Sequence, residues 1–206
     1  MILKIVPVGS MQVNCYILAS GKGGQAIIID PGAQERRIRK ALAEDDLKPG
    51  FVVNTHGHYD HIGCDNVFGV PVYVHQDDAM LLKDAKQNLS AIFDAPVTVA
   101  AEIRPVKEGD SVALDGIRLK IVHLPGHTPG GMALQVVEPD EKIVFTGDAL
   151  FFHSIGRADL PGGDESLLIR NIKEKILILP DETVVHPGHG QSTTVQEEKK
   201  NNPFLQ

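Results

Sequence analysis

Cysteine is scarce. Cys15 and Cys64 are the only two in 206 residues, too few for a disulfide framework, and that usage fits a reducing compartment. Excess positive charge is missing as well. Lys and Arg number 20 against 27 Asp and Glu, a formal net charge of −7, which argues against a nucleic-acid binder relying on phosphate contacts. No apolar run approaches the roughly 20 residues needed to cross a bilayer, so no membrane association is expected. The opening Met1-Ile2-Leu3-Lys4-Ile5-Val6-Pro7 alternates like a strand. It lacks the charged start, long apolar core and small-residue cleavage site of a secretory signal. These absences leave a soluble cytoplasmic protein as the expectation. Its length suits one large domain or two small ones with a substantial core.

What the chain does have is histidine and aspartate packed densely in one place. Asn54-Thr55-His56-Gly57-His58-Tyr59-Asp60-His61 follows the apolar run Phe51-Val52-Val53, which reads as a buried strand. Extended backbone would point His56 and His58 to the same side, and Asp60 and His61 follow in a turn or first helical turn. Imidazole and carboxylate are ligands for zinc, iron or manganese, and one ion cannot easily take four from so short a run. Two adjacent metal positions are expected.

The rest of the chain reads as strands tied to turns, with helices between. Ile2–Val6, Asn14–Leu18 and Ala26–Ile29 are rich in β-branched residues. Ile38, Ala41 and Leu42 repeat at helical spacing through Arg36–Asp45, and Pro49-Gly50 is expected to end that unit. Pro71–His75 reads as a strand and Gln76–Asn88 as a helix, while Pro96–Pro105 is poorly patterned. Ser111–Leu114 and Ile117–Val122, joined at Asp115-Gly116, form a predicted hairpin. Met132–Val137 and Lys142–Phe145 are further strands around a Pro139-Asp140 turn. Asp164 caps a helix carrying Leu168, Ile172, Ile176 and Leu179, and Thr194–Glu197 has the form of a capping box. Three polar residues stand just past strands or in rigid turns: His127 in Leu124-Pro125-Gly126-His127-Thr128-Pro129-Gly130-Gly131, Asp148 in Thr146-Gly147-Asp148, and His189 in His186-Pro187-Gly188-His189-Gly190.

The run His56–His61 with His127, Asp148 and His189, in that order, resembles the metallo-β-lactamase superfamily. That resemblance implies an α/β, four-layer αβ/βα sandwich in a single domain covering residues 1–206, with the site at one edge between two sheets. It also implies that His56, His58 and His127 hold one metal and Asp60, His61 and His189 a second. Asp148 would bridge both, with zinc the expected ion and iron or manganese as options. A metal-bound hydroxide, oriented by Asp60, would then be the nucleophile.

Narrower motifs resemble the glyoxalase II (hydroxyacylglutathione hydrolase) group: Asn14-Cys15-Tyr16, Pro125–Gly130, Thr146-Gly147-Asp148 with Leu150-Phe151, Gly156-Arg157-Ala158-Asp159-Leu160-Pro161, and Glu197-Glu198-Lys199 with Asn202-Pro203. Two departures place the chain with the short relatives. No helical glutathione-binding domain is expected after Gln206, and the loop after Asp148 reads Ile155-Gly156-Arg157-Ala158-Asp159 in place of one with a Lys and a Tyr. The expected partner is a small-molecule thioester such as S-lactoylglutathione. Arg157 is a candidate anchor for a substrate carboxylate, and His153 a candidate pocket residue. Two alternatives stand beside hydrolysis: a persulfide dioxygenase with a single iron on His56, His127 and Asp148, and a metal-binding module without catalysis. Asp30, at a strand end, is expected either to stabilise a turn or to support the metal ligands from behind. Cys15, Cys64, His75, His123 and His186 read as structural.

Overall fold

The computed structural model describes residues 1–93, 96–137 and 141–206. Two six-stranded sheets face one another. The first comprises β1 (Ile2–Val8), β2 (Val13–Ala19), β3 (Gln25–Ile29), β4 (Lys48–Val53), β5 (Val72–His75) and β6 (Ile103–Val106), in that order. Its β1–β3 strands pair antiparallel and β3–β6 parallel. The second contains β7 (Ser111–Leu114), β8 (Ile117–His123), β9 (Met132–Val136), β10 (Ile143–Gly147), β13 (Val184–Pro187) and β14 (Thr193–Thr194). Its order is β14-β13-β10-β9-β8-β7. A small hairpin, β11 (Leu150–Phe151) with β12 (Ser154–Ile155), follows β10.

Alternation along the strands divides the apolar residues among three cores. Tyr16, Leu18, Ile27, Ile29, Phe51 and Val53 of the first sheet meet Leu119, Ile121, Leu134 and Phe145 of the second between the sheets. Cys15, Ile17, Ile28 and Val52 turn outward, onto Ile38 and Leu42 of α1 (Glu35–Ala43). On the opposite outer face, Val144 and Val185 pack on Leu168 of α3 (Glu165–Asn171) and Val195 of α4 (Val195–Asn201). The result is the expected four-layer α/β sandwich. Each fully buried Val, Leu or Ile contributes roughly 1.5–3 kcal/mol, and fully buried ones recur on both faces of the first sheet. Among the described residues, no helix is long and apolar enough to cross a membrane.

The predicted caps are in place. Asp164 accepts from the Leu167 amide at 2.9 Å and Thr194 Oγ1 from the Glu197 amide at 3.2 Å. The hairpin at Asp115-Gly116 has both residues at positive φ, 47° and 90°, as a two-residue primed turn requires. The Pro139-Asp140 turn lies outside the described residues.

Two expectations need correction. Pro49-Gly50 does not end a unit: both lie inside β4, where its pairing with β3 shifts register between Ala26 and Ile27, the kind of irregularity that tolerates proline. Gln76–Asn88 is not a helix. It forms 3₁₀ turns at Gln76–Asp78 and Leu81–Lys83, with Asp84 extended. Side chains capture the backbone groups a helix would need: His75 Nδ1 accepts from the Asp77 amide, and Asp84 Oδ1 from the amides of Lys86 and Gln87.

His186 on β13 is buried, stacked on Phe145, with Nδ1 2.7 Å from Ser192 Oγ. Burial lowers its pKa to about 4, against about 6.5 in an unfolded chain. Between those values the unfolded chain binds a proton that the folded chain does not. The stability His186 contributes is therefore complete above pH 6.5 and lost as pH falls toward 4. In metal-free protein, the fall in Tm between pH 7 and 4.5 should be smaller for His186→Phe than for the parent. Equal slopes would show that His186 carries no such linkage.

Candidate metal centre

Four connections at one edge of the sandwich bring the ligand-type residues together. Beyond β4, Thr55–His58 leads into the single helical turn α2 (Tyr59–Ile62), which carries Asp60 and His61. His127 stands in the β8–β9 connection, Asp148 just after β10, and His189 just after β13. Cross-sheet hydrogen bonds fasten this edge. Asn14 Nδ2 donates to the carbonyls of Pro187 and Gly190, Tyr16 Oη to Pro187 O at 2.6 Å, and the Met132 amide to Thr55 O at 2.9 Å.

The seven side chains fall into overlapping groups whose nitrogen and oxygen atoms lie within 4.8 Å of one another. These are His56, His58 and His127; Asp60, His61 and His189; and His56, His61 and Asp148. His58 Nδ1 and His127 Nε2 are 2.9 Å apart. Asp148 stands between the sets: one carboxylate oxygen is 3.4 Å from His61 Nε2, the other 3.4 Å from His189 Nε2 and 3.8 Å from His127 Nε2. Asp60 Oδ2 lies 3.5 Å from His189 Nε2 and 3.7 Å from His61 Nε2.

Opposite ring nitrogens are tied off from behind. His127 Nδ1 donates to Arg157 O at 2.7 Å, and His189 Nδ1 to Met11 O at 2.9 Å. A carbonyl only accepts, so these bonds put the proton on Nδ1 and turn Nε2 inward. Asp30 does the same for His61, 3.0 Å from its Nδ1, while also accepting from the Thr55 amide and hydroxyl at 2.7 Å. Asp30 therefore hydrogen-bonds a candidate ligand as well as the turn at Thr55. Meanwhile His56 Nε2, His61 Nε2 and Asp148 Oδ1 are buried without a hydrogen-bond partner. Orphaned polar atoms gathered at one point cost free energy unless a cation, metal or proton, is shared there. Divalent cations fit this donor set.

The electrostatics agree. Burial, aided by neighbouring imidazoles, pushes His56 well below the ordinary range and His58 down to about 4, so both stay neutral, the form that binds metal. Burial also works against charge on His61 and His189. The carboxylates of Asp148 and Asp60 outweigh it, joined by Asp30 at His61, and hold them at about 9 and about 10. Desolvation also works against charge on Asp148, yet these two imidazoles keep its carboxyl well below the usual range. Without metal, protons stand in for the second cation.

A fourth group, His75, Asp77 and His123, is built differently. The two rings stack at 3.8 Å with their planes 8° apart. Ring lone pairs lie in those parallel planes and do not meet at one ion, and His123 Nε2 already donates to Pro129 O. Of the two candidate substrate residues, Arg157 sends an exposed guanidinium into a bidentate pair with Asp159, while its carbonyl holds His127. His153 is turned to α4: its amide donates to Glu198 and its Nε2 lies 2.7 Å from Glu197. Asp78, buried between two ligand turns, gave no sign in the sequence, because the segment around it resembles a surface helix.

A family profile described as "Metallo-beta-lactamase superfamily" matches residues 8–189. The chain is 37% identical over 211 residues to hydroxyacylglutathione hydrolase GloC of Haemophilus influenzae, covering 98% of this chain and 97% of that one. Among solved structures it is similar to BLEG-1 B3 metallo-beta-lactamase, with TM-score 0.91, 36% identity and 99% of each chain covered. It is also similar to TTHA1623 in a di-iron-bound form, with TM-score 0.84, 36% identity and 98% and 100% covered.

Proposed function

The chain belongs to the metallo-beta-lactamase superfamily, and from that premise we propose that it is a two-metal hydrolase of a small thioester, S-lactoylglutathione or a related acyl-thiol. One observation carries the proposal. The seven side chains divide into two sets of three with Asp148 between them, and inward-facing atoms lack protein partners. His56, His58 and His127 would hold one ion, Asp60, His61 and His189 the other, and Asp148 both. Likeness to GloC supports the thioester, and likeness to a di-iron protein keeps iron beside zinc as the metal.

Bound divalent ions supply Lewis acidity and bring the pKa of water to near 7. The remaining work falls to the chain. Arg157 O, Met11 O and Asp30 fix the three rings they touch, so the donor atoms need no reorganisation when substrate arrives. Asp60, partly open to solvent beside the second set, orients the attacking water. Water adds to the thioester carbonyl, the C–S bond breaks, and carboxylic acid and thiol leave. Arg157 is proposed to anchor a substrate carboxylate by exchanging Asp159 for it. Arg157→Ala should then raise KM about tenfold with kcat little changed, the mark of a contact equal in ground and transition states. An unchanged KM would remove Arg157 from the substrate site.

One comparison separates the readings: bound metal per chain, then S-lactoylglutathione hydrolysis against oxygen uptake with glutathione persulfide. Two ions with hydrolysis support the proposal. One iron with oxygen uptake would mean that Asp60, His61 and His189 have no metal role and that the protein is a dioxygenase. Bound metal with neither activity would make it a binding module.

A further inference from the structure

Asp78 is completely buried, in the turn that follows β5. Its carboxylate reaches two distant parts of the chain. Oδ2 accepts from the Gly57 amide at 2.9 Å and from Thr128 Oγ1 at 2.7 Å, and Oδ1 accepts from the Gly130 amide at 2.6 Å. Gly57 lies between His56 and His58, and Thr128 directly follows His127. One side chain thus fastens together the two turns that carry all three histidines of the first set.

The packing is equally close. A Cβ on Gly57 would stand 2.7 Å from Leu81 Cβ, and one on Gly130 2.5 Å from the Asp78 amide and 2.7 Å from its Cβ. Both turns therefore press their bare backbone against residues 78–81, and a side chain at either position would force them off. None of the hydrogen bonds of Asp78 reaches the second set. That set has its own supports, Asp30 behind His61 and Met11 O behind His189. Asp30 also touches the first set, through the Thr55 hydroxyl that lies 3.2 Å from His56 Nδ1, whereas the contacts of Asp78 stay within the first set.

We infer that Asp78 is the positioning residue of the first set: it holds His58 Nδ1 and His127 Nε2 at 2.9 Å, so that its loss weakens metal binding there and not at Asp60, His61 and His189. The inference rests on the two-metal reading. It also explains a carboxylate that no step of the hydrolysis uses. An asparagine has the same shape, but its NH₂ would face at least one of the three donors, an arrangement that costs about 1–3 kcal/mol when buried.

The test is titration of the metal-free protein with Zn²⁺, followed calorimetrically, for the parent and Asp78→Asn. Each is also made in a His58→Ala background, which leaves the second set, and in a His189→Ala background, which leaves the first. Supports of metal ligands typically contribute 10–100-fold to affinity. Asp78→Asn should accordingly weaken one of two binding events about tenfold or more. It should do so again in His189→Ala and change affinity less than about twofold in His58→Ala. Thr128→Val, which removes one donor and no charge, should weaken the same event less, and it decides the matter if Asp78→Asn does not fold. Equal weakening in both backgrounds, or none in either, would overturn the inference. A parent that binds fewer than two ions would instead overturn the two-metal reading beneath it.

Discussion

Asp148→Ala is expected to abolish turnover and to cost metal at both positions. The Asp148 carboxylate lies within 3.8 Å of imidazoles from both sets. Removing it leaves His61 and His189 without the carboxylate that most favours their charged forms, so the cradle changes as well as the ligand count. The loss of affinity should exceed the roughly 10–100-fold that an outer support costs. Metal analysis after dialysis, beside the hydrolysis assay, provides the check: two retained ions with unchanged turnover would sink the assignment of Asp148 as the bridge. The backbone around it is specific. A Cβ on Gly188 would collide with Asp148 Oδ1 and come within 2.9 Å of His61 Cε1, so the bridge also depends on a bare glycine on the neighbouring turn.

Asp30→Ala ranks second. Asp30 is buried at positive φ, 50°, a conformation that asparagine and aspartate adopt more readily than most residues. Its two oxygens take the Thr55 amide, the Thr55 hydroxyl and His61 Nδ1. Alanine would leave the Thr55 amide and His61 Nδ1 without this acceptor and the Thr55 hydroxyl with His56 Nδ1 alone. Leaving buried donors unpaired costs about 1–3 kcal/mol each, and the freed His61 ring should weaken metal binding at the second set about 10–100-fold. A drop in Tm together with selective loss of one ion is the expected result. Full stoichiometry at a lowered Tm would reduce Asp30 to a structural residue and leave the ring held by Asp148 and Asp60 alone. Asp78 and Asp30 are both buried carboxylates aimed at backbone amides beside the candidate ligands, Asp78 at Gly57 and Gly130 and Asp30 at Thr55.

Much of this centre was legible in the residue order because its information is local. His56 to His61 lie within six positions, and His127, Asp148 and His189 each stand in a short Gly- or Pro-marked connection. Strand, turn and cap signals are local too, which is why the hairpin at Asp115-Gly116 and the caps at Asp164 and Thr194 were found in place. Where local signals competed, the reading failed. Gln76–Asn88 carries apolar residues at helical spacing, but its Asp and Asn side chains capture the backbone and break it into turns. Pro49-Gly50 looks like a stop and is instead accommodated by a register shift against β3.

The sequence by itself therefore determined the superfamily, the layered fold and which His and Asp side chains meet at one edge, since residue type and short-range spacing suffice for those. Tertiary structure alone decided which oxygen faces which imidazole, which ring nitrogens are tied back, and that Asp78 fastens the turns of His58 and His127 while Asp30 holds His61 and Thr55. The reason is physical. A hydrogen bond between Asp78 and Thr128 spans 50 residues and leaves no period or motif in the chain, because it exists only once the two sheets have closed on the edge where the ligands meet.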